Sequence, residues 1–156
     1  MYCQYLAAPE KFPKPWVQIT ADDEGVTSIY FVEQKSYPEQ KNTHSELCVK
    51  QLTEYFNHQR KEFTVKLNPQ GTEFQKKVWG HLCSIPFGER WSYKDLALKL
   101  GSVNYCRAVG MANSRNPISL IVPCHRVLGH DGKLVGYTGG LDIKDWLLAH
   151  EKEYAN

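Results

Sequence analysis

Asn68-Pro69-Gln70-Gly71 concentrates turn formers between two segments of clear hydrophobic periodicity, and this break constrains the fold more than any other feature of the chain. It divides 156 residues into two stretches that are each long enough for one small core. We therefore expect an N-terminal unit over residues 1–69 and a C-terminal unit over residues 70–156. In the first stretch, Trp16 to Thr20 alternates as a half-buried strand does, Ala21 to Gly25 reads as a turn, and Val26 to Val32 as a second strand. Thr43 and Glu46 have the spacing of a capping box before Leu47, Cys48, Leu52, Tyr55 and Phe56, which recur at helical intervals. Phe63 to Leu67 reads as a further strand, so the first unit is expected to be a small α/β domain.

The second stretch has a helical rhythm. Thr72 and Gln75 cap a helix whose Phe74, Val78, Trp79 and Leu82 share one face, and Pro86-Phe87-Gly88 should end it. Ser92 and Asp95 open a short helix that Gly101 stops, and a third helix is expected from about Asn104 to Asn113. Two short helices joined through a glycine suggest a helix-turn-helix, with a purely structural helical hairpin as the competing reading. Asn116-Pro117 interrupts the pattern, and the apolar run Ser119 to Val122 reads as a buried strand that delivers Pro123-Cys124-His125-Arg126-Val127. A turn at Gly129 to Gly132, a glycine-rich loop at Gly136 to Gly140 and a helix from near Asp142 to Glu151 complete a mostly helical unit. The fold class expected is thus α/β.

Composition excludes several functions. The first fifteen residues hold no basic segment followed by an apolar run, and no stretch is apolar for long enough to cross a bilayer, so secretion and membrane insertion are not expected. Five scattered cysteines without a CxxC pair point to reduced thiols in the cytoplasm and to no metal site. The net charge of +2 is unremarkable, but between residues 90 and 126 Arg90, Lys94, Lys99, Arg107, Arg115 and Arg126 face Asp95 alone. That local excess suits a polyanion, and equally a solvated surface.

One cysteine stands out chemically. Cys124 is followed by a histidine, and a thiolate is among the strongest nucleophiles that side chains offer near neutral pH. An arbitrary cysteine is more often a small core residue, and neighbouring side chains on an extended chain point apart. His125 can therefore serve as its base only if the backbone turns or a water bridges the two. A carboxylate that fixes the imidazole would complete the set; Glu151 has the right chemistry, while His150 and Glu153 are equally admissible on spacing alone.

Pro123-Cys124-His125-Arg126-Val127 resembles the active-site signature of the O6-alkylguanine-DNA alkyltransferases, the methylated-DNA–protein-cysteine methyltransferases. The likeness extends through Ile85 to Tyr93 (IPFGERWSY), Arg107 to Pro117 (RAVGMANSRNP), Gly136 to Leu141 (GYTGGL) and Trp146 to Glu151 (WLLAHE), which covers about residues 70 to 151. Five blocks in order make a specific signal where one pentapeptide would not. The resemblance implies an RNase H-like first unit. It also implies direct reversal of O6-alkylguanine damage, with O4-alkylthymine as a second substrate, by irreversible transfer to Cys124 in a single turnover without a cofactor.

The same resemblance implies the roles of individual residues. A lesion stacked in a duplex must be rotated out before a thiolate can reach it. Arg107 matches the arginine that enters through the minor groove and fills the vacated space, and Tyr93 matches the tyrosine that crowds the rotating phosphate and donates to the guanine ring. Cys124 matches the alkyl acceptor, His125 a base acting through water, and Glu151 the carboxylate that orients it. Asn116 matches an asparagine bracing the adjoining turn; Arg126 is expected near the DNA or in the same substructure. Tyr137, Thr138 and the Val127 carbonyl match the lesion pocket. Double-stranded DNA is the implied partner of a protein that is monomeric off DNA.

Asn113 departs from relatives that carry methionine there. Three other readings remain to be weighed: a lesion sensor, which would lack the acceptor cysteine; a sequence-reading regulator; and a Cys-His-Glu hydrolase, which would leave Arg107 and Tyr93 without a role.

Overall fold

A computed structural model describes residues 1–129, 137 and 139–155. The chain separates into two compact units, Met1–Gln70 and Gly71–Asn156. The first holds a three-stranded antiparallel sheet in the order β1 (Tyr2–Ala7), β2 (Trp16–Ala21), β3 (Val26–Val32), with helix α1 (Thr43–Phe56) against it. Strand β1 was not anticipated from sequence. It pairs along its whole length with β2, from Tyr2 opposite Ala21 to Ala7 opposite Trp16. As the central strand, β2 is covered on both faces, so Val17 and Ile19 are fully buried and Gln18 and Thr20 nearly so.

Helix α1 buries Cys48, Leu52 and Tyr55, but its cap is not the expected pair. Asn42 is the N-cap and Ser45 the reciprocal partner, one residue earlier than Thr43 and Glu46. Asparagine is as good a cap as threonine, and its side chain also reaches the Asp22 carbonyl. The strand expected at Phe63 to Leu67 is reduced to a single parallel bridge between Val26 and Leu67. The Gln51 side chain takes the place of a ladder partner there, accepting from the Thr64 backbone at 3.0 Å and donating to its hydroxyl at 2.6 Å. Gly25 permits this close approach, since a Cβ at that position would lie 2.7 Å from the Lys66 carbonyl oxygen.

In the second unit, α2 (Glu73–Leu82) starts at the expected Thr72–Gln75 box and buries Val78, Trp79 and Leu82. It ends at Leu82, before Pro86 is reached. The two-residue strand β4 (Trp91–Ser92) leads into α3 (Tyr93–Lys99), capped by Ser92 and Asp95 as expected. Gly101, at φ +115°, turns the chain into a 3-10 turn at Val103–Tyr105 and then α4 (Cys106–Ser114). Helices α3 and α4 pack together as a helix-turn-helix, and the Trp79 indole N–H secures α4 by donating to the Ala112 carbonyl at 2.9 Å.

The apolar run from Ser119 to Val122 is buried but is not a strand. It coils through consecutive turns with Leu120 at φ +74°, and Cys124 follows on a 3-10 turn, Cys124–Arg126. Only Val127–Leu128 (β5) is extended, pairing in parallel with Trp91 and Ser92 of β4. The final helix α5 runs Leu141–Ala155. Residues 130–132 of the turn expected at Gly129 to Gly132, and Gly136 and Thr138 of the glycine-rich loop, lie outside the described residues. Among those described, no helix is long and apolar enough to cross a membrane.

Candidate active site

Asn116 builds the turn that carries Cys124. Its side-chain oxygen accepts from the Ile118 backbone at 2.9 Å, and its amide nitrogen lies 2.9 Å from the Val122 carbonyl, 3.3 Å from that of Ile118 and 3.2 Å from Cys124 Sγ. One buried side chain thus supplies hydrogen bonds that a strand would have drawn from a neighbour, which is why an apolar run can fold as turns here. Cys124 and His125 both lie on the 3-10 turn that follows, so the backbone is not extended between them.

Both residues are buried, Cys124 at 2% and His125 at 0% exposure. Burial pushes the Cys124 thiol up to about 11, against the Asn116 hydrogen bond and the positive charge of Lys144, which favour the thiolate. Burial also lowers the basicity of His125, with Glu151 opposing the shift. The resting site is therefore a neutral thiol beside a neutral imidazole.

Glu151 is the centre of the polar network. Its Oε2 accepts from His125 Nε2 at 2.7 Å, and its two oxygens take Arg126 Nε at 2.8 Å and a terminal guanidinium nitrogen at 3.0 Å. Burial by itself would raise the Glu151 carboxyl, but His125 and Arg126 hold it well below the usual carboxylate range. An ionised carboxylate only accepts, so His125 carries its proton on Nε2 and its lone pair on Nδ1. Nδ1 is buried and has no hydrogen-bond partner among the described residues.

The alternatives to Glu151 are engaged elsewhere or exposed. His150 stacks on Trp146 with ring centroids 4.8 Å apart, and Glu153 faces solvent. Arg126, expected near DNA or in the supporting substructure, is only 6% exposed and also donates to the Ile85 carbonyl at 2.8 Å. Its guanidinium is a buried brace for Glu151, as the supporting-substructure reading expects.

The parallel β4–β5 pairing sets Tyr93, the residue after Ser92, beside the strand that leaves the cysteine turn. Burial raises its phenol, the Asn113 amide opposes that rise, and a Cys124 thiolate would raise it further. Arg107 stands exposed on α4. Tyr137 is half-buried, with its phenol raised well above its ordinary value by burial.

Lys144 was missed from sequence. It is fully buried on α5 and donates from Nζ to the Val127 carbonyl at 2.6 Å. Burial lowers its ammonium to about 8, a shift that a Cys124 thiolate would oppose. A usable signal existed, because Lys144 continues the Leu147, Leu148, Glu151 stripe at helical spacing. Among the described residues no three His, Cys, Asp or Glu side chains cluster as metal ligands would.

A helix-turn-helix backed by a buried cysteine, histidine and carboxylate defines a DNA-binding thiol protein. Residues 73–153 match the family description "6-O-methylguanine DNA methyltransferase, DNA binding domain", and residues 11–69 match the ribonuclease-like domain of the same family. A methylated-DNA–protein-cysteine methyltransferase of Methanosarcina acetivorans is 46% identical over 142 residues, 86% of this chain and 90% of that protein. One from Methanosarcina barkeri is 53% identical over 105 residues, 67% of this chain and 66% of that relative, just under two thirds of its length. The crystal structure of Mycobacterium tuberculosis OGT in complex with DNA superposes with a TM-score of 0.87 at 36% identity, covering 99% of this chain and 94% of that one. The chain belongs to the 6-O-methylguanine DNA methyltransferase family, and its enzyme class is the methylated-DNA–protein-cysteine methyltransferases.

Proposed function

We propose that the protein repairs DNA by moving the alkyl group of O6-alkylguanine, and of O4-alkylthymine, onto Cys124 Sγ. The observation that carries this reading is a buried thiol held by Asn116 in the turn that leads to the His125–Glu151–Arg126 network, within the unit that bears a helix-turn-helix. His125 Nδ1 takes the Cys124 proton through a bridging water, and Glu151 stabilises the imidazolium that results. The thiolate displaces the alkyl carbon in line: the S–C bond forms, the C–O6 bond breaks and its electron pair passes into the guanine ring. Tyr93 donates a hydrogen bond to the ring and lowers the cost of expelling a guanine anion. Because the thioether has no acyl or disulfide bond open to water or thiols, the protein is consumed.

Arg107 extends from α4 into the minor groove and fills the space left by the rotated nucleotide, where its guanidinium stacks and hydrogen-bonds the orphaned base. The lesion is held by the Val127 carbonyl, which keeps a second lone pair beside the Lys144 hydrogen bond, and by Tyr137 and Thr138. We place the protein in the cytoplasm as a monomer off DNA. Exposing it to excess duplex containing O6-methylguanine tests the reading: repair should stop at one lesion per chain. Continued repair over many lesions per chain would overturn it.

A further inference from the structure

The turn that follows α2 reaches the Glu151 network through Arg126, and the proposed chemistry assigns it no role. Its Glu89 N–H donates to the Pro86 carbonyl at 3.0 Å, and Gly88, at φ +82°, supplies the left-handed residue that such a turn needs. Two contacts tie this segment to Arg126. The Ile85 carbonyl accepts from the guanidinium at 2.8 Å, and the half-buried Phe87 ring lies over it, with Arg126 Cζ 5.5 Å from the ring centroid, within the range of a cation–π interaction. Two more tie it to the end of α5. The Phe87 and Tyr154 rings meet edge to face, with centroids 5.6 Å apart and planes at 82°, and a Cβ built on Gly88 would lie 3.0 Å from that of Ala155. Tyr154 stands three residues beyond Glu151, on the same side of the helix. Phe87 therefore touches both the cation that pairs with Glu151 and the helix that carries it.

Resting on the alkyl-transfer reading, we infer that Phe87 is a positioning residue for Glu151, its ring covering one face of the Arg126 guanidinium so that the guanidinium keeps both carboxylate oxygens and Oε2 stays on His125 Nε2. The reason lies in the shape of the cation. A guanidinium donates only in its own plane, and Nε and both terminal nitrogens of Arg126 are engaged there, by Glu151 and by the Ile85 carbonyl. What remains is a face without donors. An aromatic ring attracts that face through its quadrupole and competes for none of the hydrogen bonds. An aliphatic side chain would cover the face without attracting it, and the carboxylate that fixes the His125 tautomer would lose a fixed partner.

The test uses the full-length protein with its histidine rings labelled with 15N, as wild type and as Phe87→Leu and Phe87→Tyr; Phe87→Met, a longer side chain, replaces the leucine variant if that fails to fold. In wild type the His125 ring nitrogens should report the Nε2-protonated tautomer. In Phe87→Leu they should move toward a mixture of the two tautomers, and single-turnover transfer should slow by about three- to tenfold, the fold-change that loss of a partly buried cation–π contact corresponds to. Phe87→Tyr keeps the ring and should keep both the spectrum and the rate. An unchanged His125 spectrum or an unchanged rate in Phe87→Leu would overturn the inference, as would a tyrosine variant as impaired as the leucine one. The tautomer is read without DNA, so failure of the wild-type protein to accept an alkyl group would count against the function and not against the hold of Phe87 on Arg126 and Glu151.

Discussion

Removing the charge of Glu151 while keeping its shape should both destabilise the protein and stop its chemistry. In Glu151→Gln the Arg126 guanidinium stays buried without a counter-charge, and the His125 tautomer is no longer fixed by an ionised acceptor. Glu151 is 1% exposed and Arg126 6%, so solvent screens little of the loss. Breaking a buried ion pair from one side costs about 3–5 kcal/mol. For a chain of 156 residues, at roughly 2–4 °C per kcal/mol, the melting temperature should fall by about 6–20 °C. Thermal and urea melts read the stability, and single-turnover transfer from a lesion-bearing duplex reads the chemistry. The double variant Glu151→Leu/Arg126→Met separates the two, since replacing both charges by apolar groups should restore much of the stability and none of the transfer. A Glu151→Gln protein within about 1 kcal/mol of wild type, or one transferring at the wild-type rate, would refute the proposed network.

Other perturbations follow from the same geometry. Lys144→Met removes the cation that favours the Cys124 thiolate, so the thiol should titrate higher and transfer should slow by about tenfold or more per unit of that rise; pH-dependent alkylation of the thiol measures it. Asn116→Ala strips the hydrogen bonds from the cysteine turn and should cost about 1–3 kcal/mol in urea melts. Arg107→Ala should leave stability within about 0.5 kcal/mol, because the residue is exposed, while lowering transfer from duplex DNA. On acidification, His125 is lowered in the fold, so below about pH 6.5 the unfolded chain binds protons that the native one does not, and stability should begin to fall there. The depressed Glu151 contributes stability that is present above the ordinary carboxylate range and lost as pH falls through its folded value. Melts between pH 7 and pH 3 that showed no decline would contradict both shifts.

Local signals were the most legible part of this sequence. The boxes at Thr72–Gln75 and Ser92–Asp95 each depend on four consecutive residues, and the helices start where they say. At α1 two overlapping boxes competed, and the choice of Asn42 rests on its second bond to Asp22, a contact across 20 residues that spacing does not reveal. The run before Cys124 read as a strand because its residues are apolar and buried. What makes it a series of turns is the Asn116 side chain, whose partners are visible only in three dimensions. The chemistry was legible in part. Cys124 and His125 were singled out by residue type, but spacing left Glu151, His150 and Glu153 equivalent, and only the resemblance chose among them. Lys144 is not distinguished by residue type, since lysines are mostly exposed, and its burial is visible only in three dimensions.

Peptide mass spectrometry after mixing equimolar protein with a duplex carrying one O6-methylguanine tests the central claim most directly. One added methyl group mapped to Cys124, with matching loss of the lesion and no transfer to Cys124→Ser, is the result the account predicts. A methyl group on another residue, or an unmodified protein that still binds the lesion, would contradict it.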